Sequence, residues 1–395
     1  MINTKIPPIT NAKSAKKFFS SSLNGIFSPG VRVQSGYKAG DIVRVLRNAI
    51  TQNKYVETYV RNNPSLHTPS ADTVFRRIHK IGSEPGSHRR KCKGSEERAR
   101  KTVHSGIDII SDLIDLTVRS AISIGAFSEP VNVAIDEHDE PYYGIDNRYL
   151  VNAPFHKFRG TDRAYRFATL ESVKKSERFT LSAMRKDPLD GIDNASEVDQ
   201  LLMHAMSLGV KIKTVLMDRG YLDVSVMKNV ESHGLKYIIP AKDNTKVKGF
   251  RDMEMKYSES GFSFLAIKDR ISSGKEEINT NFVHVVYYHK RKKHDFSYYT
   301  NMDVTESNVI MLAEIYRERW GIENGYLEKS GMKGKTHSPD MGIRYFLFFL
   351  SVLLYNMWML INLIRRLSGY SWITLMDFII AMGRGKWGAA MNDNG

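Results

Sequence analysis

Two changes of hydrophobic period divide this 395-residue chain and limit the folds open to it. As far as about residue 130 apolar side chains recur at helical spacing; from residue 131 they alternate, and from Ser307 through Glu323 the helical spacing returns. Asp41–Val60 is expected to form a helix with Ile42, Val45, Leu46, Ala49, Ile50 and Val56 on one face. A Pro-containing turn over Asn62–Pro69 leads to a second helix, capped by Thr68 or Ser70. It should turn Val74, Phe75, Ile78 and Ile81 inward and Arg76, Arg77 and Lys80 outward. Ile107–Ile124 reads as an amphipathic helix with Asp108, Asp112 and Asp115 on its wet side.

Beyond residue 131 the expected order is β-β-β-α-β-α-β. The strands fall at Val131–Asp136, Tyr142–Ile145, Arg166–Leu170, Val210–Met217 and Lys236–Pro240, and the helices at Ser196–Leu208 and Val224–Ser232. This is a mixed sheet with helices packed on it. A block of strictly alternating pattern follows (Phe262–Ile267, Phe282–His289, Phe296–Thr300) and is expected to be an all-β insertion. The apolar stretch Tyr345–Ile364, flanked by Arg344, Arg365 and Arg366, has the length of a membrane span. Ser351, Asn356 and Asn362 interrupt it, and a helix buried against a sheet satisfies the same pattern.

Charge is unevenly placed. The chain carries a net +15, yet residues 1–104 hold 20 Lys+Arg against 6 Asp+Glu, leaving 38 against 37 in the remainder. A basic module on a nearly neutral body suits a polyanion, most often nucleic acid, although a solubilising arm has the same composition. Two helices around a short turn, the second basic outside, are compatible with helix-turn-helix DNA binding. The basic run around His88–Lys93 could lie along phosphates. His88, Cys92 and His104 are too few and unsupported for a convincing metal site. A single cysteine excludes an intrachain disulfide framework. The polar, lysine-bearing N-terminus lacks a signal-peptide pattern, and a cytoplasmic location is expected.

The chemistry lies in three carboxylates. Asp136 and Asp218 are expected at the ends of buried strands, and Glu323 on the helix after the insertion. An unpaired ionised carboxylate at low dielectric costs several kcal/mol, so such groups call for a cation. Mg²⁺ takes oxygen ligands, few of them from protein, together with phosphate oxygens. Two such ions about 4 Å apart can serve the attacking and leaving oxygens of a phosphoryl displacement. Asp139 and Asp146 are alternatives for the first position, but only Asp136 directly ends the apolar run.

Three segments, Val133-Ala134-Ile135-Asp136, Met217-Asp218-Arg219-Gly220-Tyr221 and Tyr316-x-x-Arg319-Trp320-Gly321-Ile322-Glu323, together resemble a known family. It is the DDE transposases of bacterial and archaeal insertion sequences, in the IS-four-like group whose ribonuclease-H-like catalytic domain carries a β insertion. The resemblance spans roughly residues 130–365. In that family's signature Tyr, Arg and Glu are followed by a Lys; here Tyr316, Arg319 and Glu323 match, while the lysine position is Ser330, with Lys329 and Lys333 nearby. The resemblance implies that Asp136, Asp218 and Glu323 hold two Mg²⁺ ions, with Mn²⁺ able to substitute. It also implies that Tyr316, Arg319 and the lysine contact phosphates of the element end. Arg319 is suited to this, since its fork binds phosphate in bidentate fashion and keeps its charge. Arg219 is a second phosphate candidate, or else a strand-exit ion pair. Trp320 is expected in the core.

The expected fold class is α/β: a ribonuclease-H-like mixed sheet with an all-β insertion, preceded by a small helical N-terminal domain. Its parts would be a basic helical DNA-binding region (1–104), a connecting helix (105–130), the catalytic domain (131–242 and 301–368), the β insertion (243–300) and a C-terminal segment (369–395). The expected function is cut-and-paste DNA transposition: metal-dependent cleavage at the inverted-repeat ends, then strand transfer into target DNA by a homodimer at the nucleoid, without a membrane. A metal-dependent nuclease of the same fold, or a catalytically inactive DNA-binding descendant, are the alternatives. Relatives of this kind can hold a flipped base on an insertion tryptophan. This insertion has none, which leaves Tyr287, Tyr288, Tyr298 or Tyr299 for such a contact.

Overall fold

The computed structural model describes residues 12–27, 36–79, 110–153, 158–174, 177–186, 188–289, 291–319, 325 and 328–383. The chain divides into two compact units, one made of Met1–Ile124 with Tyr326–Gly395, the other of Gly125–Gly325.

The first unit is helical. Its helices are α1 (Ala12–Phe27), α2 (Ala39–Thr51), α3 (Val56–Asn62), α4 (Ala71–His79), α5 (110–123), α10 (Met341–Leu367) and α11 (Leu375–Gly383). The single helix expected over Asp41–Val60 is two. It breaks at Asn53, whose φ of 52° is a left-handed conformation that Asn tolerates and a continuous helix does not. Ser70 caps α4, accepting from the Thr73 amide at 3.2 Å. Val74, Phe75 and Ile78 are buried as expected, but so is Arg77, whose guanidinium donates to the Tyr37 carbonyl at 3.4 Å. Arg76 alone is exposed of the two described arginines; Lys80, Ile81, the basic run around His88–Lys93 and the trio His88, Cys92 and His104 lie outside the described residues.

Helix α10 is long and apolar enough to cross a membrane, and 94% of its most apolar window is buried inside the protein. Its polar residues are engaged there: Asn362 donates to the Ile373 carbonyl at 3.2 Å and accepts from the Ile373 amide at 2.8 Å. The Trp358 indole donates to the same carbonyl. Expected to close the catalytic domain, α10 instead falls in the same compact unit as the N-terminal helices.

The second unit is built on one sheet of ten strands: β1 (Val131–Pro141), β2 (Val151–Asn152), β3 (Arg163–Ser172), β4 (Thr180–Arg185), β5 (Ile212–Leu216), β6 (Lys236–Pro240), β7 (Lys256–Tyr257), β8 (Ser263–Ser273), β9 (Glu276–His289) and β10 (Lys292–Thr300). Its order is β2-β3-β1-β5-β6-β10-β9-β8-β7, with β4 also on β3. Strands β4, β3 and β1 are antiparallel; β1, β5 and β6 are parallel, joined through helices α6 (Asn194–Ser207) and α7 (Val224–Ser232). The caps follow from sequence: Asp193 accepts from the Ser196 amide and Asp223 from the Ser225 amide.

Three details differ from expectation. Strand β1 runs five residues past Asp136, so Tyr142–Ile145 is a loop and Asp136 sits within the strand. Strand β4 lacks a clear alternating signal, because Thr180, Leu181 and Ser182 are all buried. The insertion also contains a short helix, α8 (Thr245–Arg251), capped by Asn244, and its strands extend the central sheet, β10 pairing antiparallel with β6.

Candidate active site

Parallel pairing of β1 and β5 brings the two aspartates level. Ala134 pairs with Leu216, the last pair of that ladder, and two residues further along each chain come Asp136 and Asp218. Asp136 is 18% exposed at its side chain. Asp218 follows the last buried residue, Met217, and caps a short 3-10 turn, Arg219–Tyr221; its Oδ1 accepts from the Gly220 amide at 2.6 Å. That bond occupies one carboxylate oxygen and fixes the orientation of the other.

Helix α9 (Val309–Arg317) supplies the next members. It ends two residues earlier than the spacing predicts for Arg319, yet a tight turn, with the Arg319 amide on the Tyr316 carbonyl at 3.0 Å, keeps the two side chains together. Arg319 Nε donates to the Tyr316 hydroxyl at 3.0 Å, and another guanidinium nitrogen lies 3.4 Å from Asp136 Oδ2. Tyr316 stacks on Phe296, centroids 4.8 Å apart. Burial pushes its hydroxyl up to about 12; Arg319 opposes the shift, and the negative charges of Asp218 and Asp136 add to it. Asp136, Asp218, Tyr316 and Arg319 thus share one electrostatic neighbourhood.

The rival carboxylates are accounted for. Asp139, with its side chain 1% exposed, takes a bidentate pair from Arg166 at 2.6 and 3.1 Å, and Asp146 pairs with Arg163 at 3.0 Å. Arg219 is exposed. Lys329 is 3% exposed, its ammonium 5.3 Å from the Tyr355 ring centre, which leaves Lys333 the more accessible of the two lysines. Of the four tyrosines expected to be available for a flipped base, Tyr298, Tyr299 and Tyr287 are buried and Tyr288 is 69% exposed. Glu323 and Trp320 lie outside the described residues. Among the described residues no group of three His, Cys, Asp or Glu could hold a metal ion. Asp136 and Asp218, partly exposed and offering oxygen alone, suit a hard divalent cation that keeps several waters.

Sequence reasoning missed the network behind this pair. Alternation along β1 puts Glu137 on the face opposite Asp136. Lys186 donates to Glu137 and lies 2.9 Å from Glu197 Oε2, while Tyr221, in the turn begun by Asp218, donates its hydroxyl to Glu197. Arg166 completes the set, 3.0 Å from Glu137. Burial raises the carboxyl pKa of Glu197, against the pull of Lys186 and Tyr221. The only local signals were Glu137 and Tyr221 beside the two aspartates; Lys186 follows the unrecognised strand β4.

Against known proteins, residues 191–338 match the family model described as the transposase DDE domain. No curated protein matches the chain. A solved structure, a piggyBac transposase synaptic complex with hairpin DNA, is 12% identical, with a TM-score of 0.59 over 95% of this chain and 80% of that one. This likeness is one of fold, the ribonuclease-H-like mixed sheet expected from the sequence. Over residues 191–338 the chain is thus similar to the transposase DDE domain family, and its fold is shared with a transposase. That family generally uses divalent metal ions.

Proposed function

We propose that this protein carries out cut-and-paste transposition of an IS-four-like insertion sequence, cleaving at the inverted-repeat ends and joining the freed strands to target DNA. One observation carries the reading: strand register sets Asp136 level with Asp218, and Arg319 reaches Asp136 from the helix side. Asp136, Asp218 and Glu323 would hold two Mg²⁺ ions, or Mn²⁺ in their place. When bound, these supply positive charge for the displaced phosphoryl oxygens and acidify the attacking water. Arg319 binds a phosphate oxygen pair of the scissile strand, Tyr316 holds the guanidinium in its plane, and Arg219 and Lys333 lie along flanking phosphates. Arg76, Lys80 and the basic N-terminal region add sequence-independent grip on the terminal repeats; buried Arg77 braces α4. Catalysis is positioning and charge stabilisation, without a covalent protein intermediate. Joining two ends in concert requires two copies on DNA, and the work is cytoplasmic, at the nucleoid, with no membrane.

The test is incubation of purified protein with labelled duplex spanning the DNA that flanks its gene, plus a target plasmid, in Mg²⁺ or EDTA, beside Asp136→Ala. Metal-dependent cleavage at the repeat ends with joined products, lost in the variant, is expected. Cutting without joining would make the protein a nuclease, binding without cutting a catalytically inactive relative, and cleavage that survives Asp136→Ala would sink the site.

A further inference from the structure

The β9–β10 hairpin joins its strands through a tight turn, Lys292 pairing with His289, Lys293 with Tyr288 and His294 with Tyr287. Residues 289–294 read His-Lys-Arg-Lys-Lys-His, with no acidic member. Arg291, Lys292 and Lys293 are exposed, and Tyr288, opposite Lys293, is 69% exposed. Arg291 has a φ of 64°, a position in a two-residue turn that Gly or Asn fills without strain. A turn serving only to reverse the chain would shed that cost, so the arginine at this point asks for a ligand.

Register fixes where the tip lies. Leu216 pairs with Ile238, so Asp218 is level with Pro240, and Pro240 pairs with Tyr298. Lys292 is six residues before Tyr298, which carries the tip about 20 Å beyond the level of the two aspartates. It projects in the direction in which β5 runs into Asp218, the direction in which β1 also continues past Asp136. Duplex DNA advances about 3.4 Å per base pair, so 20 Å is about six base pairs.

We propose that the β9–β10 tip is a backbone clamp on duplex DNA: Arg291, Lys292 and Lys293 bind phosphates about six base pairs from the bond that is cut. Tyr288 packs beside them on the sugar edge. The position of the cut rests on the reading of Asp136 and Asp218 under Proposed function; the clamp itself does not require cleavage. Its grip is electrostatic and sequence-independent, and it holds the register of a duplex whose scissile phosphate lies in the acidic site.

The experiment uses the full chain in EDTA with a random-sequence 40-base-pair duplex, measuring affinity across a salt series. Each phosphate contact contributes about 0.9 to the slope of log affinity against log salt. Lys292→Gln/Lys293→Gln should therefore flatten the slope by about 2 and weaken binding on the order of tenfold or more at 0.1 M salt. Arg291→Gly should flatten it by about 1 while raising the thermal midpoint, which separates lost contact from lost folding. On an element-end duplex, hydroxyl-radical protection about six base pairs from the cleavage site should vanish in the double variant. Wild-type slope and affinity in both variants would overturn the clamp. If neither the wild-type protein nor any variant cuts DNA while the slopes still change as stated, the cleavage reading fails and the clamp stands.

Discussion

Replacing Gly220 with alanine tests the candidate site at its tightest point. The Gly220 amide donates to Asp218 Oδ1 at 2.6 Å, and a Cβ added at Gly220 would lie 2.9 Å from that same oxygen, 3.7 Å from Cγ and from Oδ2. Ordinary contact begins near 3.4 Å, so the carboxylate must retreat by about 0.5 Å. A misplacement of about 1 Å at a reacting centre costs on the order of 10²-fold in rate, so half that displacement gives about tenfold, or ~1.4 kcal/mol of barrier. Stability should scarcely move. The backbone at Gly220 is not left-handed, so alanine gains ~0.4–1 kcal/mol by restricting the unfolded chain, and the weakened cap removes a similar amount. The assay pairs Mn²⁺ titration and initial cleavage rate with thermal unfolding. Expected are about tenfold weaker half-saturation by Mn²⁺, a cleavage rate lower by a similar factor, and an unfolding midpoint within a few degrees of wild type. Wild-type metal dependence and rate in Gly220→Ala would refute the assignment of Asp218. A large loss of stability would instead place the effect in the fold.

Three further outcomes follow from other parts of the molecule. Arg319→Lys keeps the charge but loses the fork and the contact to Tyr316, and should slow cleavage by about 10²-fold with DNA affinity little changed in filter binding. His79 pairs with Asp340 at 2.9 Å; that hydrogen bond raises the imidazole above its ordinary 6.5, while Asp340, despite burial, is held below 3.8 by His79 and its own cap contacts. The pair is therefore at full strength between about pH 4 and 6.5, and His79→Gln should cost ~0.5–1 kcal/mol in urea unfolding at pH 5.5 and much less at pH 9. Asn362→Leu strands the Ile373 amide, while the Ile373 carbonyl keeps its bond from the Trp358 indole, and should cost ~1–3 kcal/mol by the same measurement, whereas an unchanged or raised stability would mean that α10 is not held by that bond.

That the two aspartates follow buried strand runs was legible because strand periodicity can be read locally, although the end of β1 could not. Val133–Ile135 and Val215–Met217 are buried on both faces, and each run leads into an aspartate. The sheet edges were less legible. Strand β4 is buried over Thr180–Ser182 and so shows no clear alternation, and the continuation of β1 past Asp136 depends on Arg166 of β3 and on Lys186, just after β4, which neutralise Glu137 and Asp139. No pattern within residues 131–141 announces those partners. Arg77 was misread for a related reason: helical spacing put it at the margin of the apolar face, and the Tyr37 carbonyl, forty residues away, drew it in. Long-range pairing of polar groups is the information that single-sequence periodicity lacks.

The junction between β6 and β10 has a consequence for how this chain can be shortened or rebuilt. Residues 243–300 leave the sheet after β6 and return to pair with β6 itself, Tyr299 against Ile239 and Thr300 against Ile238. Excising that segment would strip the covering from a strand whose Tyr237, Ile238 and Ile239 are fully buried, leaving a row of unpaired amides and carbonyls beside apolar side chains. Such an edge is a template for pairing with other chains, and a trimmed protein should aggregate rather than fold as a smaller enzyme. The same closure spans some sixty residues of sequence, so it forms late, and a nascent chain stalled before Thr300 would present that open edge until its last strand arrived.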